Sequence, residues 1–491
     1  MDTTNPLTPP PTQPLYQRLA THYRSAIEAG SLVPGDRMPS LRTLMRQHGI
    51  SLSTALQLSR QLESEGWLEA RPRSGYFVRR PLRSTLATVA EPLMDVIADP
   101  AQFVGIHDRV SDFIARGRLH PVKTNLSAAR CAPALYPALA LQQATLRVLR
   151  RHPDVLVTAS STKGCPEFRA ALAKRALGLG LTFSPDDLQI TNGCIEALNL
   201  ALRAVAQPGD TIAVESPTFY GLLQVLESLG LQALEIPTSP QTGISIDALE
   251  LALQTYAHIK AVVVVPYLQN PLGSIMPDSH KQRLVQLCDT HAMALIEDDC
   301  YSELVNERRR GDTPMRAIKS WDTTGNVIYC ASLHKILAPG LRLGWMAAGR
   351  WQARVEMLKY VQSRNNERLS QLAVAEFIAS PAFDRHLRRL RGALQVQRDK
   401  SAEIIAACFP PGTRLNVPEG GLALWVELPQ KLSSQRVFDA ALKDQILVAP
   451  GLMFSNSQRF ECFLRISCGL PHSPQVEQAL KRLGQIVGEL L

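Results

Sequence analysis

The run with the most chemical promise is Ser332-Leu333-His334-Lys335-Ile336-Leu337-Ala338-Pro339-Gly340-Leu341-Arg342-Leu343-Gly344. It sets a lysine just after an apolar stretch, with a serine three residues before it and an arginine seven after. Apolar neighbours on both sides would desolvate the ammonium and lower its pKa toward a nucleophilic amine. In an arbitrary sequence such a lysine is usually a solvated surface group, so the run needs company. Three further clusters provide it. Ile190-Thr191-Asn192-Gly193-Cys194-Ile195-Glu196-Ala197-Leu198 passes from a strand pattern through glycine into a helix pattern, where backbone N–H groups and the helix dipole can hold a phosphate. Gln269-Asn270-Pro271-Leu272-Gly273 presents an amide on a proline-fixed turn after an apolar strand. Glu297-Asp298-Asp299-Cys300-Tyr301 closes another strand with carboxylates, one of which could face a cation or a protonated ring nitrogen, a composition that a solvated acidic loop shares.

The elements that must position these groups are short apolar strands at 212–214, 261–265, 294–296 and 327–329, separated by amphipathic segments of helix length. That alternation from about residue 121 onward predicts an open, largely parallel α/β sheet with its chemistry at the carboxyl ends of the strands. A phosphate cradle, an amide and a phenol for a ring oxygen, a carboxylate for a pyridine nitrogen and a nucleophilic lysine are together the groups that pyridoxal 5'-phosphate needs. Residues from about 122 to 491 resemble the fold-type I aminotransferases in this ordered set. The resemblance implies that Lys335 carries the cofactor covalently, as the catalytic lysine, and that Asp298 pairs with the pyridinium nitrogen. It implies also that Asn270 and Tyr301 bond the ring oxygen, that Phe219, in Glu215-Ser216-Pro217-Thr218-Phe219, stacks on the ring, and that Gly193, Cys194, Ile195, Ser332 and Arg342 hold the phosphate. Arg465, in Phe463-Leu464-Arg465-Ile466-Ser467, matches the arginine that clamps a substrate carboxylate bidentately. Simple core packing is the alternative for Phe219. Two departures stand out. Ahead of Gly164-Cys165-Pro166-Glu167-Phe168-Arg169 such enzymes often place a tyrosine that reaches the partner subunit's phosphate, where this chain has Thr158-Ala159-Ser160-Ser161-Thr162. His334 stands where a small hydroxyl residue is common.

The first 85 residues are different in kind, with eleven arginines, no lysine and six acids, so they hold five of the chain's nine net positive charges. An anion, nucleic acid first, is the expected partner. Residues 15–29 recur apolar at helical spacing and stop at Gly30; Ser40 can cap a second helix ending at Gly49; Ser51 and Ser53 open a third helix through Ser64. Residues 67–78 then alternate as a two-stranded ribbon turning at Arg73-Ser74-Gly75. Through Gly-Ser-Leu-Val-Pro-Gly-Asp-Arg-Met-Pro-Ser-Leu-Arg-Thr-Leu at 30–44 and Leu-Glu-Ser-Glu-Gly-Trp-Leu at 62–68, residues 14–80 resemble the winged helix-turn-helix DNA-binding domain of the GntR family. The resemblance implies that Arg42, Ser51, Ser53 and Thr54 touch double-stranded DNA, with Arg73 and Gly75 at the wing tip. Leu52 and Leu56 occupy recognition positions where polar or basic residues are frequent, so no bidentate arginine–guanine contact is legible. A small docking domain with solvated arginines is the plainer alternative. Residues 81–120 carry no motif and read as a linker with some helix, interrupted by Pro81, Pro92 and Pro100.

The whole is a multidomain chain: a winged helix at 14–80, a linker at 81–120 and an α/β domain of the fold-type I aminotransferase kind at 121–491. Its 491 residues exclude a short module, and 20% charged residues with 45% hydrophobic ones exclude a disordered or fibrous chain. No apolar run approaches the ~20 residues a bilayer span needs. The N-terminus lacks the charge and apolar stretch of a secretion signal, so a cytoplasmic location is expected. Nine cysteines, scattered and never spaced as C-x-x-C, argue against a disulfide framework or a zinc site, and no metal is expected. The combination resembles the MocR-like branch of GntR regulators. It implies a homodimeric transcription factor that senses an amine, an amino acid or pyridoxal 5'-phosphate itself; the alternative is an active aminotransferase with an accessory N-terminal domain.

Overall fold

The computed structural model describes residues 14–33, 35–65, 67–71, 74–78, 86–92, 99–256, 258–312 and 314–491. The chain divides into two units, Met1–Arg83 and Ser84–Leu491. In the first, serine caps decide where helices begin. Helix α1 (Leu15–Glu28) is followed by α2 (Leu41–His48), whose first turn is closed by Ser40 Oγ accepting the Thr43 N–H at 3.2 Å. Gly49 ends it in the left-handed conformation at φ 62°. Helix α3 (Leu52–Ser64) starts in the same way, Ser51 Oγ accepting from Thr54 N at 3.2 Å. An antiparallel ribbon of β1 (Leu68–Arg71) and β2 (Gly75–Val78) follows, with Leu68 opposite Val78. Ala20, Ile27, Leu44, Ala55, Leu58 and Leu62 form the buried centre of this small unit. Arg24 ties α1 to the end of α3 through Glu65 at 2.6 Å. Helix, helix, turn, helix and ribbon occur in the order that the sequence predicts.

The second unit is built on a nine-stranded sheet. Its strands are β3 (Gln102–Phe103), β4 (Leu188–Thr191), β5 (Thr211–Ser216), β6 (Gln232–Ser239), β7 (Ile259–Val264), β8 (Ala294–Asp299), β9 (Val327–Ser332) and β10 (Gly344–Ala347), with the short strand Gly243–Ile244 against β6. The order is β3-β6-β5-β7-β8-β9-β10-β4. Strands β5 to β9 pair in parallel, whereas β3 and β10 run antiparallel to their neighbours. Every residue of β8 and β9 is buried, as expected of central strands covered on both faces. A smaller antiparallel sheet of β11 (Arg414–Asn416), β12 (Ala423–Glu427), β13 (Ala449–Pro450) and β14 (Phe463–Ser467) has the order β11-β12-β14-β13. Its core is Trp425, stacked on Phe463 with centroids 5.2 Å apart. Among the described residues no helix is long and apolar enough to cross a membrane.

The expected linker at 81–120 needs correction. Within it, Ala87 bridges to Arg414, and Val89 N–H donates to Asn416 Oδ1 at 3.0 Å. Strand β3 extends the large sheet, and a thirteen-residue helix α4 (His107–Leu119) buries Val110 and Phe113. The start of α4 is held from a distance: Glu227 Oε2 accepts the N–H groups of Ile106 and His107 at 2.8 and 2.7 Å. A cap and a strand partner more than a hundred residues away leave no local signal, which is why the segment reads as a linker.

Strand β10 approaches the loop after β4 so closely that a Cβ on Gly344 would lie 2.7 Å from both Cα and C of Gly193. Gly344→Ala is expected to destabilise the unit by about 1–3 kcal/mol through overpacking. Gly392, inside the helix Pro381–Cys408 with nothing within 4 Å of a built Cβ, is the matching control. Its change to alanine should stabilise by about 0.5–1 kcal/mol. Calorimetric melting of the two variants decides; equal melting temperatures would contradict the close approach.

Candidate functional site

The strand ends converge as the sheet topology requires. Strand β4 leads through Gly193, at φ 81°, into α5 (Cys194–Val205), and no side chain caps that helix. The loop is fixed from below by Glu196, whose Oε2 accepts the Asn192 N–H at 2.6 Å. Buried Lys359 donates to the same oxygen at 3.1 Å. Burial pushes the Glu196 carboxyl up, but Ser363, Asn192 and Lys359 outweigh it and leave the group below its ordinary value. Above the loop, Arg342 Nη2 donates to Asn192 O at 2.9 Å, and a Cβ on Gly193 would come within 3.3 Å of that nitrogen. An uncapped helix start, a glycine in the left-handed region and an arginine are groups that could hold a dianion. Ile195 is exposed in the first turn of α5, and Ser332, at the end of β9, is buried with Oγ 3.4 Å from Cys300 Sγ.

Lys335 follows Ser332 by three residues, and its Nζ donates to the carbonyl of Ala129 at 2.5 Å. Burial lowers its ammonium from 10.5 to about 8, with Cys300 opposing and Arg465 adding to the shift. Asp298, near the end of β8, is buried, and burial pushes its carboxyl above the usual range while Cys300, Cys194 and Lys335 pull it back. Cys194 Sγ donates to its Oδ1 at 3.1 Å. The Tyr301 ring lies 5.7 Å from Lys335 Nζ, and Asn270 Nδ2 donates to Tyr301 Oη at 3.4 Å. Asn270 Oδ1 in turn accepts from Arg465 Nη1 at 3.0 Å. Arg465, on β14, is 1% exposed, donates Nη2 to the Ser127 carbonyl, and keeps a buried Nε with no hydrogen-bond partner. Burial lowers its pKa and the phenols of Tyr220 and Tyr301 support its charge.

Lys335, Asp298, Tyr301, Asn270 and Arg465 thus form one connected cluster, with the cradle of Gly193, Cys194, Ile195, Ser332 and Arg342 beside it. Phe219 caps α6 (Tyr220–Ser228) half-buried, its ring centroid 5.0 Å from that of Tyr220. Sequence reasoning missed Tyr220, Glu196, Lys359 and the segment 127–129, whose carbonyls hold both Lys335 and Arg465. Two of these have a local signal: Glu196 is an acid in the first turn of α5 that accepts the N–H of Asn192 four residues before it, and Asn125 Oδ1 accepts the N–H groups of Ser127 and Ala128, an Asx turn. His334 is neutral, lowered to about 4 by burial and by the charges of Lys335, Arg342 and Arg130, and its buried Nδ1 is unpartnered. The donor set fits a phosphorylated aldehyde with a basic ring nitrogen: a cation and free helix end for the phosphate, a buried acid for the nitrogen, a low-pKa lysine for the aldehyde and an orphan guanidinium N–H for a carboxylate.

In the N-terminal unit, Ser51 Oγ bonds both Ser53 Oγ at 2.7 Å and Thr54 Oγ1 at 2.9 Å, so three hydroxyls cluster at the start of α3. Arg42 is exposed on α2, and Leu52 is 55% exposed beside the hydroxyls. Gly75 turns the ribbon at φ 99°, with Arg37 Nε and Nη2 each 3.8 Å from where its Cβ would stand. Arg37 was not singled out from sequence, and Arg73 lies outside the described residues.

Comparison with known proteins agrees with both units. Residues 139–483 match the aminotransferase class I and II family, and residues 15–78 match the bacterial regulatory proteins of the gntR family. The chain is 37% identical over 476 residues to the uncharacterized HTH-type transcriptional regulator YdcR of Escherichia coli (strain K12), covering 97% of this chain and 99% of that one. Pyrococcus horikoshii kynurenine aminotransferase, crystallised with PMP, KYN and KYA, superposes with a TM-score of 0.72 at 27% identity over 78% of this chain and 95% of its own. The α-aminoadipate aminotransferase LysN of Thermus thermophilus, complexed with N-(5'-phosphopyridoxyl)-L-leucine, gives 0.69 at 25% identity over 79% and 99%. The chain therefore belongs to the aminotransferase class I and II family and, with a GntR-type module ahead of that domain, is a MocR-like GntR regulator.

Proposed function

We propose that this regulator senses a primary amine of amino-acid type through pyridoxal 5'-phosphate held in its aminotransferase-like unit, and that occupancy changes the affinity of residues 14–80 for double-stranded DNA. The observation that carries the reading is Lys335, held near pKa 8 within a buried cluster that includes Asp298 and the incompletely bonded Arg465. When bound, the cofactor supplies an aldehyde that captures amines and a ring that draws electrons. Gly193, Cys194, Ile195, Ser332 and Arg342 would hold its phosphate, and Asn270 and Tyr301 would orient it through the ring oxygen. Asp298 would keep a proton at the ring nitrogen, since a cation there offsets the cost of its own burial. Lys335, neutral in a far larger fraction at pH 7 than an ordinary lysine, is ready to act as a nucleophile or to accept a proton. The fork of Arg465 would take an effector carboxylate in two charge-assisted bonds, exchanging them for its bond to the Ser127 carbonyl.

A working aminotransferase needs the same groups, and the full-length likeness to regulators favours sensing over turnover alone. We further propose a cytoplasmic homodimer. Leu139, Leu156, Val157 and Val361 are between 66 and 87% exposed, apolar area that a second copy would cover. A symmetric dimer would also match a palindromic operator.

Adding pyridoxal 5'-phosphate to cofactor-free protein is expected to produce a visible absorbance band. Its rate of appearance should rise with pH, pass half-maximum near pH 8 and level off above that, because only the deprotonated Lys335 amine reacts. Lys335→Ala should abolish the band; an undiminished band in that variant would refute the assignment. Arg465→Lys keeps the charge without the fork, so it should retain the band yet weaken the effector-dependent gel shift by about 1.5–3 kcal/mol. An undiminished response would point to an amine with no carboxylate at that position. For DNA, each phosphate contact releases counterions, so binding to the protein's own promoter region should fall steeply with salt and weaken in Arg42→Ala. Binding no tighter than to random DNA would turn the reading toward the enzyme.

A further inference from the structure

Two cysteines that lie 106 positions apart in the chain meet under Lys335. Among the described residues, Cys194, Asp298 and Cys300 form a group of metal-capable side chains whose ligand atoms all lie within 4.8 Å of one another. Cys194 opens helix α5 and Cys300 follows the end of β8, so both thiols are mounted on the packed core. The Cys194 Sγ to Asp298 Oδ1 separation is 3.1 Å. A tetrahedral zinc ion, with bonds of about 2.3 Å to sulfur and about 2.0 Å to a carboxylate oxygen, needs ligand edges of about 3.5–3.8 Å. The three atoms therefore reach that geometry with movements on the order of 1 Å, within what side-chain rotation supplies.

We propose that the cofactor-free protein binds one thiophilic divalent cation, zinc, at Cys194, Asp298 and Cys300, and that the ion and the cofactor exclude each other. Two sulfur donors with one carboxylate select zinc over magnesium or calcium, which prefer all-oxygen shells. Three protein ligands leave a fourth position for water, with Ser332 Oγ already 3.4 Å from Cys300 Sγ. On coordination the two thiols become thiolates and their two protons pass to solvent; no electrons move. Exclusion follows because a zinc ion on the Asp298 carboxylate would set a second cation against the protonated ring nitrogen that the same carboxylate would face. Exclusion rests on the cofactor reading above, whereas metal binding by the cofactor-free chain does not.

The test is anaerobic titration of the full-length, cofactor-free protein with cobalt(II), whose thiolate charge-transfer absorbance reports sulfur ligation. One equivalent should saturate the band, and zinc should displace it. Cys194→Ala and Cys300→Ala should each lose it, while Cys462→Ala, a remote half-buried cysteine, should keep it. X-ray absorption of the zinc form of the unaltered protein should show two sulfur neighbours at about 2.3 Å. That measurement decides even if a cysteine variant fails to fold. No thiolate band in the unaltered protein, a band that survives in both variants, or a zinc shell without sulfur overturns the site. Prior loading with pyridoxal 5'-phosphate should abolish the band. A band that persists beside bound cofactor overturns exclusion and leaves the site standing, whereas failure of the cofactor to bind at all defeats the cofactor reading alone.

Discussion

Gly344 sits where β10 passes in backbone contact with the Gly193 loop, paired on one side with Ser332 of β9 and on the other with Thr191 of β4. Residues 333–343 join the antiparallel neighbours β9 and β10; Lys335 and Arg342 lie on that connection, and Ser332 ends the strand before it. Their spacing of three and seven residues is thus set by a hairpin-like return and not by a helix face. Any side chain at 344 would push this connection away from the helix start that it serves. Arg342 itself is held at φ 52°, a conformation that costs a non-glycine residue roughly 1–2 kcal/mol and that the surrounding pairings must impose.

The site is also an arrangement of charges that burial leaves poorly compensated. Lys335, Asp298 and Arg465 are each shifted toward their neutral forms by desolvation, the cations down and the acid up. Holding such groups away from water is costly unless each finds a counter-charge. A ligand with a phosphate, a basic ring nitrogen and a carboxylate provides one for every member, so binding energy and the strain of the free state are linked. The N-terminal unit follows the opposite plan. Among its described residues Arg18, Arg37, Arg42, Arg46 and Arg60 are exposed, where they act through a long-range field and add little to stability.

That contrast explains how one chain can combine two kinds of recognition. The helices of the small unit are decided by Ser40, Ser51 and Gly49, local caps that work without tertiary help. The large unit depends on pairings between residues far apart, as with Glu227 capping α4 and Lys359 sustaining the Glu196 anchor. The Cys194 and Cys300 thiols belong to this second class, since no C-x-x-C spacing announces them.

Sequence alone determined the order of elements in the winged unit and the strands at 212–214, 261–265, 294–296 and 327–329, and it singled out Lys335, Asp298, Asn270, Tyr301, Arg342 and Arg465, which the fold gathers at the strand ends. These were legible because each lies within a few residues of a strand end or glycine turn, where periodicity and backbone chemistry are local. Tertiary structure alone decided that 86–92 and 99–120 join the large unit, that Tyr220 stands beside Arg465, and that the 127–129 carbonyls hold the two site cations. It also decided that Lys359 backs the Glu196 anchor and that two distant cysteines lie at one carboxylate. Each of these depends on sheet order and on burial, and both are properties of which segments become neighbours, which no short window of sequence contains.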